Sequence, residues 1–340
     1  MSSRLSPQTS LTQGMNAMTG RKILVYYAWS RPAEAGARLE IIENRFPTLF
    51  ETRRMAFPRF AELSDPVRFD QGVAGFLDHV MKHNFTAFIE TAEQLTGQPV
   101  TQLERVADDG GLTLLNAHTL QGVDTVIVIS FDSLLTGQQA QSAEVAAVRA
   151  FLEDPDHLIC VCPHHDIGDV TELNGDALLA RQTAEFLHHG DRTIPPRQQF
   201  GGFARALLAG LGVPVENRFG LRPAAEADGS PAPIAVETAL DRFHFLDGVS
   251  TLNLHPHLPQ LERVGEGLTK LEVLARQRID PAAPPHPLMR NRVAFDALLQ
   301  SRADAFSGCL LVGDTTLWSS TAGGLENLRR FWSNVIGRRE

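Results

Sequence analysis

Asp156-His157-Leu158-Ile159-Cys160-Val161-Cys162-Pro163-His164-His165-Asp166-Ile167-Gly168 is the stretch whose reading decides the fold. The apolar run Leu158 to Cys162 reads as a buried strand, and it ends abruptly in Pro-His-His-Asp. Upstream, Thr125-Val126-Ile127-Val128-Ile129 is a second near-continuous apolar run. Such runs suit strands covered on both faces, and hence a parallel sheet. Between the two runs, a helix is expected from about Gln139 to Glu153, opened by Leu135-Thr136 and ended by Pro155. Strand, helix and strand in succession is the βαβ pattern of an α/β fold.

The same alternation extends in both directions. Ile23 to Trp29 reads as a first strand, with Ser30-Arg31-Pro32 as an N-cap and a proline in the first helical turn. Helical periodicity follows at Arg38–Phe50 and again from Gln71 to Leu95, and Val100–Val106 reads as a strand or an extended arm. Downstream, Ala177–His188 and Phe200–Leu211 are helical in pattern, the second ended by Gly212. Arg222–Pro233 reads as an exposed loop, Phe243–Leu254 as a broken strand, and Pro281–Pro287 as a linker. Cys309 to Asp314 is a last strand ending in Gly-Asp, followed by a helix over Gly324–Ile336. The expectation is one α/β domain over 20–340, with a mostly parallel sheet flanked by helices and insertions around 51–120 and 222–300. Residues 1–19, polar and without the apolar region of a signal peptide, read as a disordered lead-in.

Composition bounds the function. The 340 residues are 43% hydrophobic and carry 40 acids against 31 bases, a net charge of −9. That balance argues against a phosphate-backbone binder, which needs a basic face. No run approaches the length of a membrane-spanning helix. Three cysteines, Cys160, Cys162 and Cys309, all lie in strand-like runs, an odd number without a disulfide framework. Reduced, buried thiols in a cytoplasmic protein are the plain reading. The partner expected is a small molecule, with neither nucleic acid nor membrane; oligomeric state is left open.

Several stretches resemble the class I glutamine-amidotransferase-like α/β superfamily, closest to its gliding-motility and intraflagellar-transport auxiliary domains. The carrying residues are Gly122 to Ile129 with Leu135-Thr136 and the helix ending Val148 to Leu152, then the Leu158–Cys162 strand. Leu311 to Trp318 and the following helix, with Glu326-Asn327 and Phe331 to Asn334, complete them. The resemblance implies a flavodoxin-like or amidotransferase-like three-layer fold. It is a likeness of fold rather than of function. Its catalytic members carry a cysteine nucleophile on a sharp turn after a strand. Cys162 follows a strand, but Pro163 comes next and has no backbone N–H to serve as an oxyanion donor. Glutamine amide transfer is therefore not expected.

The chemistry-bearing residues cluster instead at strand ends. In an open α/β sheet the ligand crevice lies outside the carboxyl ends of the strands, where His164, His165, Asp166 and Asp314 all fall. His188-His189-Gly190-Asp191 forms a second cluster about one helix later. Imidazole with carboxylate suits a divalent metal such as Zn, Fe or Mn. His164, His188 and His189 are candidate ligands, with His255 and His257 of a His-Pro-His run as further ones. Asp166, Glu185 and His165 are the candidate acid–base groups, with Glu172 an alternative to Glu185. Arg192, Arg197, Gln198 and Asp314 are candidate substrate-binding groups, and Gly201-Gly202 would let a ligand approach a helix N-terminus. The spacing matches no established metal signature. The plainer alternatives are that the histidines and Asp166 cap neighbouring elements and that Asp314 caps a turn starting near Thr315. Together these residues suggest a hydrolase or lyase acting on a small polar molecule. The competing expectation is a non-catalytic ligand-binding or interaction domain.

Overall fold

A computed structural model describes residues 20–35, 77, 81–132, 136–166, 174–180, 183, 200–283, 289 and 292–338. In chain order the strands are β1 (Ile23–Ser30), β2 (Thr101–Val106), β3 (Thr125–Ser130), β4 (Leu158–Pro163) and β5 (Val215–Leu221). They continue with β6 (Ala235–Val236), β7 (Leu258–Arg263), β8 (Leu271–Arg278), β9 (Ala294–Ser301) and β10 (Cys309–Gly313). The helices are α1 (Arg31–Ala35), α2 (Thr86–Thr96), α3 (Ser142–Phe151), α4 (Gly202–Gly210), α5 (Gly267–Lys270) and α6 (Leu325–Gly337).

The fold is α/β, with an eight-stranded sheet in the order β2-β1-β3-β4-β10-β9-β8-β6. From β2 to β10 every neighbouring pair is parallel; β9, β8 and β6 then continue the sheet antiparallel. β5 and β7 form a separate antiparallel ribbon. The strands expected from the apolar runs are thus present, in parallel pairing.

Both faces of β1, β3, β4 and β10 are buried, which is why those strands are almost wholly apolar, whereas the edge strand β2 is partly exposed and polar. Val25, Tyr27, Ile127, Ile129, Cys160, Cys162 and Leu311 join one core with Phe88 of α2 and Phe331 and Trp332 of α6. The alternate residues, Leu24, Tyr26, Val126, Val128, Ile159, Val161 and Leu310, join a second core with Val148 of α3 and Phe203 and Leu207 of α4. Helices therefore cover the sheet on both sides. Among the described residues, no helix is long and apolar enough to cross a membrane.

Local signals explain several boundaries. Ser30 Oγ accepts from Ala33 N at 3.3 Å, as an N-cap does. The helix between β3 and β4 starts later than expected, because Gln141 and Glu144 form a reciprocal capping box at its N-terminus. It ends at Phe151, ahead of Pro155, with Leu152 N closing the last turn on Val148 O at 3.1 Å. Phe243 to Leu254 is not a strand. Its apolar residues enter the core from successive turns, held where Asp241 accepts from Phe245 N at 2.9 Å and Leu246 N at 2.8 Å. Arg222–Pro233 is exposed from Ala225 to Ser230 and again at Pro233, but Ala224 and Ala232 are buried, linked by a 3.0 Å backbone hydrogen bond. The stretches read as insertions contribute strands to the main sheet, β2 on one edge and β6, β8 and β9 on the other half. The helices expected at Arg38–Phe50 and the start of Gln71–Leu95, most of Ala177–His188, and the whole of 1–19 lie outside the described residues.

Candidate active site

The site is built where β4 and β10 end side by side. Val161 pairs with Val312 in parallel register, so His164 and Asp314 leave the sheet as neighbours. His164 Nδ1 lies 2.7 Å from Asp314 Oδ2, and both side chains are buried. Asp314 Oδ1 accepts from Thr316 N at 2.8 Å and from the Thr316 hydroxyl. Asp314 therefore caps the 3₁₀ turn Thr315–Trp318, as the cap reading expected, and holds a histidine at the same time.

An ionised carboxylate only accepts, so the hydrogen on that 2.7 Å contact sits on His164 Nδ1. With its hydrogen on Nδ1, a neutral ring would present Nε2 as a lone pair. The imidazole stacks on Phe131, with ring centroids 4.9 Å apart, and Phe131 in turn stacks on Phe200 at 4.7 Å. Above it stand the two histidines of the His-Pro-His run. His255 lies 4.9 Å from His164 and His257 lies 5.4 Å from His165, ring to ring. His164 and His165 are themselves 4.7 Å apart. His164 is 2% exposed, whereas His255 and His257 are half-buried.

The electrostatics divide the roles. Burial presses the His255 imidazole down to about 3, reinforced by the neighbouring His164 and His257, although Asp314 pulls the other way. His255 is therefore neutral at physiological pH. For Asp314, burial acts to raise the carboxyl, but His164, His255 and the Thr316 hydroxyl outweigh it and hold it below the usual carboxylate range. Cys162 is no nucleophile: burial drives its thiol far up, and its Sγ accepts from Trp318 Nε1 at 3.0 Å.

The backbone after β4 is fixed by β5. Asp166 N donates to Asn217 O at 2.8 Å, while the buried Asn217 amide donates to His164 O and, at 2.8 Å, to Phe200 O. Gly201 is needed here: its φ is +83°, and a Cβ would fall 2.9 Å from both Asn217 Nδ2 and Pro163 Cβ. The N-terminus of α4 is not an open anion site. Asp132 Oδ2 accepts from Phe203 N at 3.0 Å, Ser130 Oγ accepts from Ala204 N at 3.0 Å, and Ser130 donates to Asp132 at 2.6 Å. The protein's own carboxylate fills the place the Gly201-Gly202 reading reserved for a ligand.

Of the residues singled out from sequence, the fold brings together His164, His165, His255, His257 and Asp314. Asp166 turns to the β5 side, where Arg205 Nη1 approaches its Oδ2 at 2.6 Å. Glu172, Glu185, His188, His189, Arg192, Arg197 and Gln198 lie outside the described residues. Among the described residues, no group of three or more His, Cys, Asp or Glu is placed to hold a metal ion. His164 Nδ1 is taken by Asp314, and His255 Nδ1 lies 3.3 Å from both N and O of the His257 backbone. Sequence reasoning missed Phe131, Phe200, Asn217, Asn253 and Thr316. Phe131 follows the end of β3 directly and Thr316 lies three residues past the end of β10, which is the signal that could have found them.

Comparison with protein-family models, curated proteins and solved structures gave no match.

Proposed function

We propose that this chain is an acid–base enzyme, a hydrolase or lyase acting on a small polar molecule, with His164 as general base and Asp314 as the carboxylate that orients it. One observation carries the reading: the buried 2.7 Å contact between His164 Nδ1 and Asp314 Oδ2 at adjoining strand ends. A histidine held this way has a defined tautomer and can take a proton at Nε2, with Asp314 stabilising the imidazolium that forms. His255, kept neutral by burial, is suited to hydrogen-bonding a substrate oxygen rather than to carrying charge. The fold-level part of the reading, a flavodoxin-like or amidotransferase-like layering, draws on the parallel order β2-β1-β3-β4-β10. The three free, buried thiols fit a reducing, cytoplasmic setting.

The test is a panel of small esters, amides and hydroxy acids offered to the wild type, His164→Gln and Asp314→Asn. Turnover lost in both variants, with the fold retained, is the expected result. Turnover that survives in both sinks the proposal. Metal analysis of untagged protein belongs beside it: stoichiometric zinc, iron or manganese, with turnover lost on chelation, would replace the dyad by metal-assisted chemistry. One observation favours a second reading, a ligand-binding domain without catalysis: His164 is 2% exposed, more closed off than a base that meets its substrate from solvent. Binding without turnover across the panel is its signature.

A further inference from the structure

Asn253 is fully buried and lies in none of the strands or helices, in the stretch leading to the His-Pro-His run. Both polar atoms of its side chain and its backbone oxygen are committed. Its Nδ2 donates to Thr316 Oγ1 at 3.0 Å, its Oδ1 accepts from His255 N at 3.0 Å, and its backbone oxygen accepts from Gln277 Nε2 at 3.0 Å. Nearby, helix α6 starts so close to this stretch that a Cβ on Gly324 would fall 2.8 Å from Leu252 O. The segment is therefore fixed from several sides.

The directions of these bonds follow one from another. An amide nitrogen only donates, so Thr316 Oγ1 must accept from Asn253. The hydroxyl's own hydrogen is then free to point at Asp314 Oδ1, which lies within bonding distance. Asp314 thus receives Thr316 N–H and O–H on one oxygen and His164 Nδ1–H on the other. Three donors converge on one buried carboxylate, which keeps it ionised and orients it. The same Asn253 holds His255 through its backbone N–H.

We propose that Asn253 and Thr316 are positioning residues: a one-way hydrogen-bond relay, Asn253 to Thr316 to Asp314, that fixes the Nδ1–H tautomer of His164 and ties the His255 loop to the same frame. The proposal rests on the reading of His164 as base, and it deepens that reading by naming what sets the base's proton. Neither residue need touch substrate. Their effect is exerted through Asp314 and through the placement of His255.

The experiment is nitrogen-15 NMR of the histidine rings in the full chain, which reads the tautomer without any assay. Wild type is expected to show the His164 hydrogen on Nδ1, and a Thr316 hydroxyl proton protected from exchange. Thr316→Ser keeps both signals. Thr316→Val, the same shape without the hydroxyl, and Asn253→Ala each raise the Nε2–H form about tenfold, the size of one lost hydrogen bond. A folded Thr316→Val with the wild-type tautomer overturns the relay. Should both variants fail to fold, the wild-type hydroxyl decides: an unprotected Thr316 proton overturns the relay equally. The two failures are distinct. A relay confirmed by NMR with no turnover anywhere removes the enzyme reading alone. A relay refuted by NMR leaves His164→Gln and Asp314→Asn to test the dyad independently.

Discussion

Two buried carboxylates in this molecule do opposite work. Glu144, at the N-terminus of α3, is fully buried and is bonded by Arg105 Nη1, by Gln141 N at 2.9 Å and by Leu115 N at 3.2 Å. Asp314, at the end of β10, is as well supplied with donors, but one of its partners is a histidine. Arginine keeps its proton at any working pH, so the Glu144–Arg105 pair can only brace. It fastens β2, the chain before α3 and the α3 cap together, with Tyr26 alongside. Histidine can release and regain a proton, so the Asp314–His164 pair is able to do chemistry. Burial and good hydrogen bonding therefore do not mark a functional pair. What sets the Asp314 pair apart, and carries the proposed reading, is its titratable partner and the half-buried histidines beside it.

The comparison can be broken at either end. The largest effect is expected from Glu144→Ala, which leaves the Arg105 charge buried and unpaired. Such losses run to about 3–5 kcal/mol, read as a fall in the urea midpoint. A loss no larger than a surface substitution gives would mean that Glu144 is not a brace. Asp314→Asn should cost less stability, about 1–3 kcal/mol, because the Thr316 donors still find an acceptor. Its amide would instead donate to His164 Nδ1 and force the Nε2–H tautomer. Reversing a carboxylate-held histidine in this way can remove about 10⁴-fold of turnover. An unchanged His164 tautomer would contradict the assignment.

His255 sharpens the comparison through pH. Its folded value, about 3, lies below its ordinary 6.5. Between those values the unfolded chain takes up a proton that the folded chain refuses. Stability is thus complete above 6.5 and is lost as pH falls toward about 3. In His255→Asn the drop in unfolding midpoint between about pH 7.5 and about pH 5 should shrink. Equal drops in the two proteins would show that His255 is not held neutral. The depressed Asp314 acts in the same direction but lower, below the usual carboxylate range, so it lies outside this window, and the difference between the two proteins reads His255. The smallest effect is expected from Cys162→Ser. The serine oxygen can accept from Trp318 Nε1 in place of sulfur, so stability moves by about 1 kcal/mol or less. Turnover should stay at the wild-type level, and its abolition would restore Cys162 as a nucleophile.

The parallel half of the sheet was legible because both of its faces are buried. A doubly covered strand must be apolar throughout, and β1, β3, β4 and β10 announce themselves as unbroken runs. β8 and β9 carry Arg276, Gln277, Asp296 and Gln300, several of them pairing with residues from other segments, as Arg276 does with Asp296 at 2.9 Å. Their polarity is satisfied by partners distant in sequence, which no local pattern reveals. Phe243 to Leu254 shows the converse. Its apolar spacing suggested a strand, but the residues reach the core from turns that Asp241 ties.

The sequence by itself determined that this is an α/β chain with parallel strands, and that histidines and acids gather where two of them end. Strand burial and the placement of crevices at strand ends follow from local pattern and general topology. Only the tertiary structure decided which acid serves which histidine. Asp166, one residue from His165 in sequence, turns to Arg205, while Asp314, 150 positions from His164, supplies the 2.7 Å contact. The reason is register: parallel pairing of β4 with β10 sets Val161 beside Val312 and delivers the two side chains to one point. A pairing across that span is fixed by the sheet as a whole.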